Sequence, residues 1–262
     1  MSPDGEIRWV REGHVATALI DRPARRNALN AELCARLQAL LEGNRDLRAL
    51  VIGGAGDVAF CSGADLARRA DEIDGFGHEG GDSFRPAFES MLEAIVSFPA
   101  PVIAAVNGHA LGAGMQLAVA CDLRVVAPTA TFGIPAGRLG LAISPINVQR
   151  LVQAVGQPTA RDILLTARVL SAAEAAAVGL VQRVADDPVG AAVSLAMEIA
   201  ALAPLSARAH KAMLDGVARS GSLSETDKAW LSDLEANVFA SEDLQEGLTA
   251  FSEKRPPNFA GR

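Results

Sequence analysis

PVIAAVNGHALGAGMQLAVACD, residues 101–122, is the stretch that decides the fold of this chain. An apolar run predicts a strand over residues 102–106, which leads through a glycine-rich turn into a helix that we predict over residues 115–120. Glycine lets the main chain turn tightly and approach a ligand closely, and the first N–H groups of a helix have no partner inside it. The junction therefore predicts backbone N–H donors that point at whatever binds above the turn.

A second segment, FCSGADL at residues 60–66, has the same character. Its apolar strand end runs into a turn of small residues, and an acidic residue then starts a predicted helix. Two N–H donors from separate strand-to-helix junctions can hold one carbonyl oxygen. A thioester needs such donors if negative charge is to build on that oxygen.

Four blocks of this sequence together resemble one family. RPARRNALN (residues 22–30), FCSGADL, residues 101–122 and EKRPPNF (residues 253–259) are similar to the crotonase, or enoyl-CoA hydratase/isomerase, superfamily, in its order and spacing. The resemblance covers nearly the whole chain and implies an α/β fold, a crotonase-like spiral of ββα units with a C-terminal helical subdomain. It places the spiral core and an acyl-CoA site in residues 1–203. Residues 204–262 would form the helical subdomain that covers the site and the oligomer interface, in a homotrimer or a dimer of trimers.

The same resemblance assigns the residues of the reaction site. Ala64 and Ala113 would supply the two N–H groups of an oxyanion hole. Relatives that hydrate enoyl-CoA place one glutamate on the helix after the glycine turn and another just beyond a Phe-Gly-x-Pro sequence. Here those positions hold Gln116 and Ala136. Glutamine can hydrogen-bond a water but cannot take its proton, and alanine can do neither, so the resemblance implies an oxyanion hole without its acid/base pair.

Two functions remain open at this point. The first is an acyl-CoA-binding protein of fatty acid and lipid metabolism, similar to an enoyl-CoA hydratase but with weak or no hydratase activity. The alternative is an acyl-CoA isomerase or decarboxylase that uses the same oxyanion hole, and whether the protein is an enzyme stays open with it. Glu89 or Glu93, spaced one helical turn apart, could supply a base from the opposite wall, although a solvated helix face is the simpler interpretation.

Ser144, in LGLAISPIN, is a weaker candidate for chemistry. It lies at or next to the place where some isomerase and dehalogenase relatives carry an aspartate. A serine without a matched base is a poor nucleophile, so a catalytic role is the less favoured interpretation.

A larger set of residues would bind the coenzyme A thioester. Guanidinium groups suit phosphate geometry, and the resemblance implies that the loop before NALN and the C-terminal basic tail meet the nucleotide end. These cations could equally be solvated surface charges. Asp65 fits a helix cap as well as a binding role, and its two neighbours fit the wall of the ligand channel. The predicted binding residues are Arg25, Arg26, Ala64, Asp65, Leu66, Ala67, Lys254 and Arg255.

Composition limits the remaining classes of function. The chain has 262 residues, half of them apolar, and a formal net charge of −7, which argues against nucleic acid as a partner. The charged N-terminal residues do not resemble a signal peptide, and no apolar run is long enough to span a bilayer, so we expect a cytoplasmic protein. Three separated cysteines predict reduced, buried thiols. We expect no metal site and no cofactor other than a coenzyme A thioester as substrate or ligand.

Hydrophobic periodicity predicts alternating strands and helices in the first part of the chain. The segment 68–85 is predicted to be mobile, and the chain is predicted to be helical from residue 188, with breaks at Pro204, residues 216–222 and Ser241. Strands are predicted at 14–21, 48–53, 102–106, 123–126, 131–133 and 181–184, and helices at 31–41 behind an Asn30 cap, 86–98 and 115–120.

Overall fold

The computed structural model describes residues 5–65, 83–220 and 225–262. The strands in these ranges are β1 (Glu6–Glu12), β2 (Val15–Asp21), β3 (Ala49–Gly54), β4 (Ala59–Cys61), β5 (Val102–Val106), β6 (His109–Leu111), β7 (Leu123–Val126), β8 (Thr131–Gly133), β9 (Val169–Ser171) and β10 (Arg183–Val184). The α-helices are α1 (Ala31–Glu42), α2 (Phe84–Val96), α3 (Ala113–Ala120), α4 (Pro145–Thr166), α5 (Ala172–Ala177), α6 (Pro188–Ala200), α7 (Pro204–Ser220), α8 (Glu225–Phe239) and α9 (Glu242–Glu253). Short 3-10 helices lie at Pro23–Arg25 and Pro135–Leu139.

The described strands form two sheets, a six-stranded one in the order β1-β2-β3-β5-β7-β10 and a four-stranded one in the order β4-β6-β8-β9. Strands β3 and β4, β5 and β6, and β7 and β8 are consecutive pairs, and each pair contributes one strand to each sheet. Pairing is parallel throughout the middle of both sheets, and only the outer pairs β1-β2 and β8-β9 are antiparallel. This repeated passage between two sheets confirms the predicted α/β spiral, and the last described helices form a helical C-terminal part.

Several predicted elements agree with the structure in their bounds or in their cap. Strands β5, β7 and β8 have the predicted bounds, and the side chain of Asn30 caps α1 by accepting a hydrogen bond from the Leu33 N–H. Helix α3 begins at Ala113, two residues before the predicted start at residue 115. This difference concerns the site directly, because it makes Ala113 the first residue of the helix.

The described structure differs from the predicted elements in three respects. Strands β1, β6 and β9 were not predicted, because short or exposed strands are specified by their pairing partners more than by their own pattern. Phe84 and Arg85 belong to α2 and not to a mobile loop. Helix α7 continues through Gly216 to Ser220, since one glycine weakens a packed helix without ending it.

Most of the buried side chains lie in one core, on which α1, α2, α3 and α4 pack. A second, smaller core lies between α6 and the other face of the six-stranded sheet. Among the described helices, no single one has the length and apolar character needed to cross a membrane. Only the pair 188–200 and 204–218, bent by 110°, meets that criterion together. The described residues contain no cluster of three or more side chains suited to a metal ion.

Candidate functional site

The two predicted strand-to-helix junctions lie against each other. A Cβ built on Gly112 would be 3.8 Å from the Cα atom of Gly63, and one built on Gly63 would be 3.8 Å from the backbone nitrogen of Ala113. Both glycines have a positive φ, 120° at Gly63 and 56° at Gly112, a conformation that other residues rarely adopt. The tight turns therefore bring the main chains of two separate junctions into van der Waals contact.

The hydrogen bonds around each junction leave one N–H group unused by secondary structure. Leu29 pairs with Ala64 as a parallel bridge, in which the Leu29 N–H donates to the Gly63 carbonyl and the Asp65 N–H donates to the Leu29 carbonyl. The N–H of Ala64 therefore points away from Leu29. Ala113 is the first residue of α3, so its N–H has no acceptor within that helix.

A cavity of about 240 Å³ lies beside these two residues. Its wall contains five predicted site residues together: Ala64, Ala113, Gln116, Ala136 and Ser144. The remaining described wall residues are Ser62, Gly63, Phe84, Arg85, Phe88, Glu89, Leu111, Gly112, Ile134, Pro135, Leu139, Leu141, Ala142, Ile143 and Asn147. This composition is mainly apolar with a few polar groups, as in sites that bind small molecules.

Gln116 and Ala136 occupy the part of the wall formed by α3 and the second 3-10 helix. The Gln116 side chain is half-buried, and its Nε2 donates to the Gly112 carbonyl at 3.2 Å, so its Oε1 is the acceptor left for a ligand. Ala136 packs against the main core and offers no polar side-chain atom. Neither side chain can exchange a proton near neutral pH.

Glu89 is the one carboxylate among the described wall residues, and it lies on α2. Its Oε1 accepts a hydrogen bond from the Arg85 Nε at 3.2 Å, and 40% of its side chain remains exposed. Glu93, one turn further along α2, instead binds the Arg150 guanidinium at 2.8 Å and is not part of the wall. The structure thus separates two acidic residues that the sequence treats as equivalent.

Aromatic residues of α2 complete this wall, and the sequence analysis missed them. The rings of Phe84 and Phe88 stack with their centroids 5.3 Å apart, and both side chains are buried. Asn147 was missed as well. Their spacing, i and i+4 for the two phenylalanines and three residues after Ser144 for the asparagine, is the signal that could have identified them.

Asp65 contributes to the site through an ion pair. Its carboxylate binds the Arg22 Nη1 at 2.6 Å, with 9% and 7% of the two side chains exposed. The Arg22 N–H also donates to Asn27 Oδ1, and the Asn27 amide donates to the carbonyls of Ala55 and Ala59. These contacts fix the FCSG turn to the loop that precedes α1. Leu66 and Ala67, predicted to line the ligand channel, lie outside the described residues.

The four predicted cations for coenzyme A fall into two groups. Arg25 and Arg26 are exposed and lie beside the first junction, since the Ser62 N–H donates to the Arg26 carbonyl at 3.0 Å. Lys254 and Arg255 follow α9, and the Arg255 guanidinium binds Glu246 at 2.7 Å and Glu253 at 2.6 Å. These two carboxylates raise the pKa of Arg255 above its usual value.

The three cysteines are buried. Burial raises the pKa of each thiol, Cys34, Cys61 and Cys121, to about 12. None of them is in the cavity wall. They are therefore poor nucleophiles at neutral pH, and thiol chemistry is not part of the site.

Comparison with known proteins gives the same family as the sequence blocks. The family model for enoyl-CoA hydratase/isomerase matches residues 11–262. A Mycobacterium tuberculosis protein named "Probable enoyl-CoA hydratase echA6" is 39% identical, covering 94% of this chain and 96% of that protein. Two crystal structures, an enoyl-CoA hydratase/carnithine racemase from Magnetospirillum magneticum and an enoyl-CoA hydratase from Bacillus anthracis, superpose with TM-scores of 0.89 and 0.85 at 34% and 33% identity. Each comparison covers 98% of this chain, and the matches cover 96% and 99% of those structures.

The match thus includes both glycine-rich junctions and every described residue of the cavity wall. The chain belongs to the enoyl-CoA hydratase/isomerase family.

Proposed function

We propose that this protein binds an acyl-CoA thioester in the cavity and has weak or no enoyl-CoA hydratase activity. The observation that carries the proposal is the wall itself, which brings Ala64 and Ala113 together with Gln116 and Ala136. The two alanines would donate their N–H groups to the thioester oxygen as an oxyanion hole. In hydratases of this family, the other two positions hold the glutamates that activate water.

The missing pair decides the expected rate. A positioned general acid or base contributes roughly 10² to 10⁴ in rate, so loss of both groups leaves little hydration even where the oxyanion hole is intact. The two N–H donors would still stabilise the bound thioester, and the apolar wall would bury its acyl chain. The protein would then act in lipid metabolism as a carrier of acyl-CoA, or as a partner that binds it.

The nucleotide end of coenzyme A would lie beside Arg25 and Arg26. Both are exposed, and their loop is hydrogen-bonded to the first junction through Ser62. Lys254 and Arg255 would contribute from the C-terminal tail. Arg255 would first have to give up or share its contacts with Glu246 and Glu253, so we expect its contribution to phosphate binding to be the smaller one.

Glu89 favours a second candidate function, an acyl-CoA isomerase or decarboxylase. It is an ionisable group in the wall, and a carboxylate there could remove a proton from a carbon next to the thioester or its vinylogous position. The resulting enolate would be held by the same two N–H groups. Decarboxylation would not need Glu89 as a base, because loss of CO₂ leaves the electron pair of the broken bond in the enolate.

We also propose self-association through the C-terminal helices, as a homotrimer or a dimer of trimers, with residues 204–262 acting as a subdomain on the core at residues 1–203. Several large apolar side chains of these helices are exposed in the single chain: Leu214, Val217, Trp230, Phe239, Leu248 and Phe251. Exposed apolar area of this kind is typical of protein interfaces. Light scattering on the purified protein would give the mass directly, and a monomer would contradict this part of the proposal.

The experiment that tests the proposed function pairs binding with turnover on one sample. Calorimetric titrations with saturated and 2-enoyl-CoA thioesters would be compared with a hydration assay. Tight binding with negligible hydration supports the proposal. Efficient hydration would contradict it and would mean that another group replaces the two glutamates.

Exchange of substrate protons with D₂O tests the second candidate. Proton removal by Glu89 predicts exchange next to the thioester that falls by roughly 10² or more in Glu89→Gln, because the amide cannot act as a base. Glu198→Gln, which changes an exposed carboxylate of α6 outside the wall, is the matched control and should exchange like the unchanged protein. Equal exchange in both variants would exclude Glu89 as the base.

A further inference from the structure

One hydroxyl of the cavity wall is buried and has no partner in the ranges that the structure describes. Ser144 Oγ is shielded from solvent and has no hydrogen-bond acceptor or donor in the described part of the chain. Ser144 is the N-cap residue of α4, but its side chain makes no capping hydrogen bond. Only the backbone carbonyl of Ser144 bonds to the helix, where it accepts from the Asn147 and Val148 N–H groups. A buried unpartnered polar group is unfavourable and calls for an explanation.

Asn147 lies one turn later in the same wall and is 5% exposed. Its Oδ1 accepts from the Arg150 Nη1 at 3.0 Å, and Arg150 is itself held by Glu93 at 2.8 Å. The oxygen end of the amide is thereby fixed on the Arg150 side, so the Nδ2 donors are on the opposite end. The part of the wall formed by α4 thus contains an amide N–H and a hydroxyl that reaches a ligand once Ser144 changes its χ1 rotamer.

We propose that the cavity selects acyl thioesters whose chain carries an oxygen substituent beyond C3, a hydroxyl or keto group that bonds to Ser144 Oγ and Asn147 Nδ2. This inference rests on the proposed function, which places the thioester oxygen at Ala64 and Ala113 and C2 and C3 beside Gln116 and Ala136. Because the proposal sets Gln116 and Ala136 beside C2 and C3, we assign Ser144 and Asn147, which belong to the same wall, to the part of the chain beyond C3.

The chemistry of the two groups supports an oxygen and not a methylene at this point. Serine changes χ1 between staggered positions at small cost, so its hydroxyl can turn toward a ligand. A site with buried polar groups binds weakly any ligand that leaves those groups unpaired. A purely apolar wall discriminates much less between acyl chains. A purely hydrocarbon chain would leave Ser144 as unsatisfied as it is without ligand.

The test compares hexanoyl-CoA with its 4-, 5- and 6-hydroxy derivatives by calorimetry on the full-length protein. We expect at least one hydroxy isomer to bind about ten-fold more tightly than hexanoyl-CoA, which is the effect of one satisfied hydrogen bond. Ser144→Ala should lose that preference and bind hexanoyl-CoA and its hydroxy derivatives with equal affinity. Ser144→Thr, which retains the hydroxyl, should keep the preference, and Ser144→Ala should melt no lower than the unchanged protein, because it removes an unpartnered buried hydroxyl.

Ser194→Ala is the matched control, because Ser194 is exposed on α6 and its Oγ donates to the Gly190 carbonyl far from the cavity wall in sequence. It should bind all four thioesters normally. Equal affinity for hexanoyl-CoA and every hydroxy isomer would overturn the inference, as would a preference that survives in Ser144→Ala. Failure to bind even hexanoyl-CoA would overturn the proposed function and this inference together.

Discussion

Gly114, the second residue of α3, is the position in this site with the least room for a side chain. A Cβ there would lie 2.0 Å from the Cys61 carbonyl oxygen, and that oxygen belongs to backbone that cannot move without shifting β4. The close approach of α3 to β4 is what brings the second junction up to the first. A side chain at residue 114 would therefore separate the N–H groups of Ala64 and Ala113.

Gly114→Ala should consequently lose both stability and acyl-CoA affinity. We expect the free energy of unfolding to fall by about 3 kcal/mol or more, because a clash with backbone atoms can be relieved only by moving β4 or α3. Urea denaturation with calorimetric titration of the folded fraction measures both effects. Gly137→Ala is the control, since a Cβ there meets nothing within 4 Å and should change stability by less than about 0.5 kcal/mol. Similar losses in both variants would contradict the packing argument.

Gln116 and Ala136 carry the prediction about the reaction. Replacing both by glutamate, Gln116→Glu with Ala136→Glu, should restore an acid/base pair beside the proposed oxyanion hole. Hydration of 2-enoyl-CoA should then rise by roughly 10² to 10⁴ over the unchanged protein.

Gln116→Glu alone is the matched control and should gain much less, because one carboxylate cannot both deprotonate water and protonate carbon as efficiently as a pair. A steady-state hydration assay measures all three proteins. If a folded, CoA-binding double variant gained no activity, our placement of the catalytic positions would be wrong.

At the scale of elements, the FCSG turn depends on a buried contact with the loop before α1. Arg22 and Asp65 form an ion pair at 2.6 Å in which both side chains are at least nine-tenths buried. Asn27 belongs to the same loop as Arg22 and has a φ of 57°. Its side-chain amide donates to the carbonyls of Ala55 and Ala59, at the end of β3 and the start of β4. The turn that presents Ala64 is therefore supported from behind by side chains distant in sequence.

Arg22→Met tests this support. Removing one partner leaves the Asp65 carboxylate buried without its guanidinium, and we expect a loss of about 3 to 5 kcal/mol in the free energy of unfolding, with weaker acyl-CoA binding. Arg183→Met, at an exposed pair with Glu198 3.8 Å apart, should cost less than about 1 kcal/mol. Chemical denaturation measures both. A double variant with Asp65→Leu should recover part of the loss, and no recovery would mean that the pair is not the cause.

At the scale of the whole molecule, the cores enclose every cysteine of the chain. The chain contains three cysteines, all buried, with pKa values raised to about 12. Because the thiolate is the reactive form, a raised pKa removes it at neutral pH, and burial also blocks access. The buried state agrees with the prediction made from the sequence.

Titration with a thiol reagent should therefore find no reactive cysteine in the native protein between pH 7 and pH 9, and three after denaturation in guanidinium chloride. The native protein should stay unreactive with acyl-CoA bound. Fast labelling of any one thiol in the native state would show that part of the core opens, and mass spectrometry of the labelled peptides would identify where.

The sequence predicted the fold well where a pattern is long and local. Periodicity and turn chemistry locate strand β5, the glycine turn and the capped helix α1, because each is specified by consecutive residues. Strands β6 and β9, of three residues each, carry no such pattern and exist because parallel and antiparallel partners are placed beside them. The wall formed by α2 was partly missed for the same reason, since Phe84 was assigned to a loop.

The sequence by itself predicted the α/β spiral and the family, because four motifs of contiguous residues carry the resemblance. It also named Ala64, Ala113, Gln116 and Ala136 as candidate site residues. Only the tertiary structure decided which polar groups share one cavity. It placed Glu89 in the wall and paired Glu93 with Arg150, and it buried the Ser144 hydroxyl without a partner among the residues that the structure describes. The physical reason is that burial and hydrogen bonding arise where elements distant in sequence meet, and a residue's own neighbours in the chain do not specify that meeting.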